Sequence, residues 1–123
     1  MRRALVRLGL CLVLLGTIGA CGRWRDHDDD VVVTQELATL QNGCVVRGTV
    51  RNDGDHTVRV FLSWRAFDRD DDFIGTAEAE VDDLPRDGTR SYESSRFREV
   101  FDRDLIRCDR ITRIRRSTTA VRD

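Results

Sequence analysis

The sequence predicts a small, mainly β sandwich, and three observations predict it. Two runs of apolar alternation, Cys44/Val46/Gly48/Val50 and Val58/Val60/Leu62/Trp64/Ala66, flank Asn52-Asp53-Gly54-Asp55-His56. Period-two alternation around Asn, Asp and Gly is the signature of a β-hairpin. The segments that follow are short, alternating and closed by turn residues, as the remaining strands over a shared core would be. The chain has 123 residues, enough for one domain of about ninety residues once a leader is set aside.

The leader is read from Met1-Arg2-Arg3 and Arg7, the apolar run Leu8 to Ile18, and the small residues Gly19-Ala20 before Cys21. A basic start, a short apolar middle and a small-residue exit describe a secretion signal. The apolar run would span only about 16 Å as a helix, against roughly 30 Å of bilayer core, so no permanent transmembrane anchor is expected there. Thr17-Ile18-Gly19-Ala20-Cys21 resembles the lipobox of bacterial lipoproteins, with Ile18 where Leu is usual. The resemblance implies cleavage before Cys21 and a thioether-linked diacylglycerol on it. The protein would then be held in the cell envelope by its N-terminal lipid. Gly22 rather than Asp follows, which in Gram-negative lipoproteins resembles export to the outer membrane, facing the periplasm. The alternative is an ordinary cleaved signal with Cys21 paired elsewhere.

With Cys11 removed and Cys21 lipidated, Cys44 and Cys108 remain in an oxidising compartment, and one disulfide is expected. If consecutive strands alternate in direction, the second strand and the last run parallel, which places both cysteines at the same end. Loss of Arg2, Arg3 and Arg7 takes the basic count from 21 to 18 against 22 acidic residues, a net charge of −4. That balance argues against a nucleic-acid binder.

The expected organisation is a signal peptide over 1–20, the lipidated cysteine and a flexible tether over 21–30, and the sandwich over 31–123. The tether, GRWRDHDDD from Gly22 to Asp30, is charged and lacks an apolar period; His27 among its aspartates reads as part of a solvated spacer. Val31 to Leu40 is β-branched at its start and supplies a first strand, and Asn42-Gly43 signals the turn after it. Phe73/Gly75/Ala77/Ala79/Val81 alternates as a fourth strand, Asp82 to Gly88 forms a loop, and Thr89 to Phe97 is a weaker strand around Tyr92. Phe97, Val100, Phe101 and Leu105 recur at helical spacing, which predicts a short crossover helix. Leu105 to Ile114 supplies the last strand, with Arg115 to Asp123 as a polar tail.

Val46-Arg47-Gly48-Thr49-Val50-Arg51-Asn52, a strand ending in an aromatic and an aspartate, and a later loop closed by Asp87-Gly88 resemble the FxLyD domain. That family is an immunoglobulin-like β-sandwich of secreted bacterial proteins. Its naming motif would fall on Trp64-Arg65-Ala66-Phe67-Asp68, where only Asp68 is identical. The resemblance covers roughly 44–97. It implies an antiparallel sandwich of about six to seven strands, with no catalytic residues and no cofactor to transfer.

Three candidate sites remain. Asp68, Asp70 and Asp72 place carboxylates at positions 1, 3 and 5 of a calcium-type loop, but Phe73 and Ala79 stand where an EF-hand needs Gly and Glu. The reading is a solvated acidic turn, with a looser Ca²⁺ site as the alternative. If Trp64 points inward, Arg59, Phe61, Ser63, Arg65 and Phe67 share the opposite face. Aromatics flanked by arginines compose an interface, and the partner would be an unidentified envelope protein or a second copy; alternatively the crossover helix covers the stripe. Arg107, Arg110, Arg113, Arg115 and Arg116 could meet anionic headgroups or an acidic partner, or pair within the sandwich. No enzyme is expected: His27 and His56 lie in a tether and a turn with no nucleophile placed against them.

Overall fold

The computed structural model describes residues 30–123. The signal peptide, Cys21, His27 and nearly all of the tether lie outside the described residues. Among the described residues there are seven strands: β1 (Val31–Val33), β2 (Glu36–Leu40), β3 (Gly43–Asn52), β4 (Val58–Phe67), β5 (Phe73–Leu84), β6 (Thr89–Glu93) and β7 (Arg113–Arg122). They form two antiparallel sheets packed face to face. In the first, β3 is central, with β6 on one edge and β1 and β2 as two halves of a broken strand on the other. In the second, the order is β5-β4-β7. The mainly β, sandwich expectation is met.

The break between β1 and β2 has a steric cause. Gly48 of β3 passes so close to Thr34 that a Cβ there would lie 1.9 Å from the Thr34 carbonyl oxygen, so only glycine fits. Thr34 and Gln35 bend around this contact, and the Thr34 hydroxyl accepts from the Thr49 amide at 2.8 Å.

Trp64 decides how the sheets meet. Val58, Val60, Leu62, Trp64 and Ala66 are all buried on the inner face of β4, as their spacing predicts. Trp64 stacks on Tyr92 of the opposing sheet with ring centroids 5.6 Å apart. Its Nε1 donates to Gln35 Oε1 at 3.0 Å, and Tyr92 donates to the Thr34 carbonyl at 2.7 Å. Burial pushes the Tyr92 phenol up to about 12, against a smaller opposing pull from Arg116.

The hairpin expected between β3 and β4 is not formed. The two strands lie in different sheets, joined by an arch over residues 53–57. Asn52 is fully buried there. Its Nδ2 donates to the carbonyls of His56 and Leu84 at 2.7 and 3.0 Å, and its Oδ1 accepts from the Gly54 amide at 2.9 Å. Alternation marks which side chains point inward but not which sheet a strand joins, and a buried, fully bonded asparagine is compatible with either. The two-residue turn is instead Gln41-Asn42 between β2 and β3, both with positive φ (48° and 68°), as a tight antiparallel hairpin requires.

The crossover helix is also absent. Residues 94–98 run extended across the open side of the sandwich and bond to both sheets. Ser94 and Phe97 donate to Val46 and Cys44 of β3, while Ser95 donates to Glu78 and Arg98 exchanges bonds with Thr76 of β5. These tertiary pairings override a local helical period. The chain then makes a loop from Glu99 to Asp104, with Arg103 at φ 62°, and returns so that Arg98 bridges Leu105. Between β6 and β7 the only helical turn is the 3₁₀ segment Cys108–Arg110.

The last strand is displaced as well. β7 spans Arg113–Arg122 and pairs with β4 over its whole length, so the expected polar tail is an edge strand. Its inward positions are Ile114, Arg116, Thr118 and Ala120, of which Arg116 and Thr118 blur the apolar period. The disulfide expected between Cys44 and Cys108 is present, with Cα atoms 4.8 Å apart. It joins the start of β3 to the turn before β7.

Candidate functional site

The ends of the sandwich differ in chemistry. The chain enters at one of them: Val31 pairs with Asn52, the Asp53 amide donates to the Asp30 carbonyl, and Arg122 pairs with Val58. The other end lies about 30 Å away along β4, taking roughly 3.3 Å per residue, and holds Phe67, Phe73, Arg113 and the disulfide.

The stripe predicted on the outer face of β4 divides between these ends. Arg59, at the entry end, is neutralised by Asp82 at 3.2 Å and Asp123 at 3.5 Å, with Glu80 at 3.9 Å. Phe61 is partly exposed between Glu80 and Thr119. Arg65 and Phe67 belong to the far end. Phe67, expected in the outward stripe as a partner contact, is only 8% exposed. It is covered by Arg113, 4.1 Å from its centroid, and by Phe73 at 6.0 Å, not by a helix. Arg65 lies over the Phe73 ring at 4.5 Å.

The exposed aromatics of the far end are ones that the strand alternation and the helical spacing place inward. A register shift at Ala66/Phe67 turns Phe73 to the outer face, 41% exposed. The loop after Arg98 carries Val100 at 45% and Phe101 at 93% exposure. Phe73, Ile74, Val100 and Phe101 line a hollow of about 480 Å³, rimmed by Glu99, Asp102 and Arg110. Phe101 thus projects almost wholly exposed from this loop, beside other apolar side chains. The bulge could have been suspected from Asp68-Arg69-Asp70-Asp71-Asp72; nothing in the sequence signals the loop.

Most of the C-terminal arginines are used within the fold. Arg107 pairs with Asp109 at 3.1 Å, Arg110 with Glu99 at 3.2 Å and Arg113 with Asp71 at 2.7 Å, while Arg116 donates to Gln35 Oε1 at 2.9 Å. Arg115 is different. It stands directly opposite Arg65 across the β4–β7 ladder, and among the described residues neither has an acidic partner.

Asp68, Asp70 and Asp72 do converge, each offering an oxygen within 4.8 Å of the others. The turn explains this closeness. Asp68 Oδ1 accepts from the amides of Asp70 and Asp72 at 2.9 and 3.0 Å, which closes the β4–β5 connection around Asp71 at φ 65°. Glu99, Asp102 and Asp104 cluster similarly on the loop. Both cysteines among the described residues are bonded to each other, and His56 lies in the arch. Comparison with known proteins finds no matching family model, no similar curated protein and no similar solved structure.

Proposed function

We propose that the mature chain is a lipid-anchored, non-catalytic β-sandwich lipoprotein of the bacterial cell envelope, of the FxLyD type, which acts as a protein-binding or envelope-assembly module. In a Gram-negative cell it sits at the outer membrane and faces the periplasm. The observation that carries this reading is the gathering of Phe73, Val100 and Phe101 at the end opposite the chain's entry. A domain tethered through Cys21 presents that end away from the membrane. Contiguous exposed apolar side chains at such a place support docking rather than chemistry.

The anchor is tested by mass spectrometry of detergent-extracted protein. Cys21 is expected as the N-terminal residue carrying diacylglycerol, and Cys21→Ser is expected to leave the detergent phase, since two acyl chains suffice for stable anchoring. A Cys21→Ser chain that partitions with detergent at unchanged mass contradicts the anchor.

A second reading rests on the convergence of Asp68, Asp70 and Asp72, which makes the protein a divalent-metal-binding lipoprotein. Thermal melts with EDTA and with excess Ca²⁺ separate the two. A site filled at 100 times its dissociation constant adds about 2.7 kcal/mol, or roughly 10–20 °C for a domain of this size. The docking reading expects coincident melts, because the Asp68 hydrogen bonds already hold the turn.

A further inference from the structure

We infer that the far end of the sandwich recognises an acidic segment of a partner protein, with a carboxylate held between Arg65 and Arg115 and an adjacent apolar side chain seated in the hollow beside Phe73. The inference rests on the docking reading above and specifies its partner.

Arg107, Arg110 and Arg113 each have a carboxylate within 3.2 Å. Arg65 and Arg115 face each other across adjacent strands with none among the described residues. Like charges directly opposite in a ladder are destabilising, and the fold keeps two of them beside the exposed apolar hollow. One carboxylate entering between two guanidiniums removes the repulsion and accepts charge-assisted, fork-geometry hydrogen bonds from both.

The arginine pair and the hollow also share a residue. Phe73 lies under Arg65 at 4.5 Å and also lines the hollow with Ile74, Val100 and Phe101. A carboxylate at the arginines is thus next to an apolar recess of about 480 Å³, roomy for a leucine or phenylalanine side chain from a neighbouring position. Anionic lipid fits less well, because an N-terminal anchor directs this end away from its own bilayer. A two-fold contact centred on the arginines would set four like charges together.

The test pans a displayed random octapeptide library against the detergent-solubilised mature protein, then measures the selected peptide by fluorescence polarisation. The expected consensus places Asp or Glu beside Leu, Ile or Phe. Arg115→Glu is expected to weaken binding at least tenfold while leaving melting unchanged or raised, since the introduced carboxylate would face Arg65 as an opposite charge. Val100→Ser, at an exposed position, is expected to weaken binding without affecting the fold. No enrichment, a consensus without acidic residues, or equal binding by Arg115→Glu overturns the inference. Arginine-dependent flotation of the Cys21→Ser chain with phosphatidylglycerol vesicles would assign the patch to lipid, and a sedimenting dimer lost in Arg115→Glu would assign it to a second copy; either overturns it. A peptide selection without acidic preference, alongside partner crosslinks that persist at Phe101 in cells, would remove the inference and leave the docking reading standing.

Discussion

Trp64→Ala is expected to lower the stability of this domain by about 3–5 kcal/mol, a large share of the roughly 5–15 kcal/mol typical of a single domain. The ring is fully buried, stacks on Tyr92 across the core and donates to Gln35 in the bend between β1 and β2. Removing it empties the middle of the inter-sheet space and strips Gln35 Oε1 of its indole donor, leaving Arg116 as the remaining one. Urea denaturation measures the effect; at about 1 kcal/mol/M, the low end for small proteins, the midpoint falls by roughly 3–5 M. In a Trp24→Phe background, the emission of Trp64 is expected to resist iodide. A loss below about 1 kcal/mol, or free quenching, would mean that β4 is turned the other way, because a one-residue slip exposes the entire apolar set.

Replacing Cys44 and Cys108 together by alanine is expected to cost about 4 kcal/mol, the chain-entropy value for closing a loop across a sequence separation of 64 residues. The consequence is also local. Cys44 accepts from the Phe97 amide at 2.8 Å, and Phe97 accepts from Ile106 at 3.0 Å, so the bridge and these bonds hold the base of the loop bearing Phe101. Amide exchange over residues 97–112 is expected to rise more than exchange in β4 when the bridge is absent. Thiol labelling of the native secreted protein checks the premise: two reactive cysteines would contradict it.

Much of the fold was legible because one strand was unambiguous. Val58 to Ala66 alternates without interruption, and its inward face could only be the core. Pairing was less legible. Asn52-Asp53-Gly54 reads as a hairpin turn, yet Asn52 spends its amide on the carbonyls of His56 and Leu84 and carries the chain from one sheet to the other. β7 was hidden by Arg116 and Thr118, whose polar ends interrupt an inward face that Ile114 and Ala120 only outline. The Phe97, Val100, Phe101, Leu105 spacing was helical by coincidence, since the hydrogen bonds of that segment go to β3 and β5. Of the candidate surface, Arg65 was found from the outward register of β4. Phe73 was missed because of the bulge, and Phe101 because its supposed helix would have covered it.

The central claim is that the protein docks partners through the end of the sandwich opposite its lipid, and site-specific photo-crosslinking in living cells tests it most directly. A photoreactive amino acid placed at Phe101 is compared with one at Asp87, an exposed position at the entry end, where the adjoining Gly88 carbonyl accepts from the Asn52 amide. A discrete crosslinked species is expected from position 101, lost with Val100→Ser or Arg115→Glu, and little or none from position 87. Equal crosslinking from both positions, or a discrete product from position 87 alone, would contradict it.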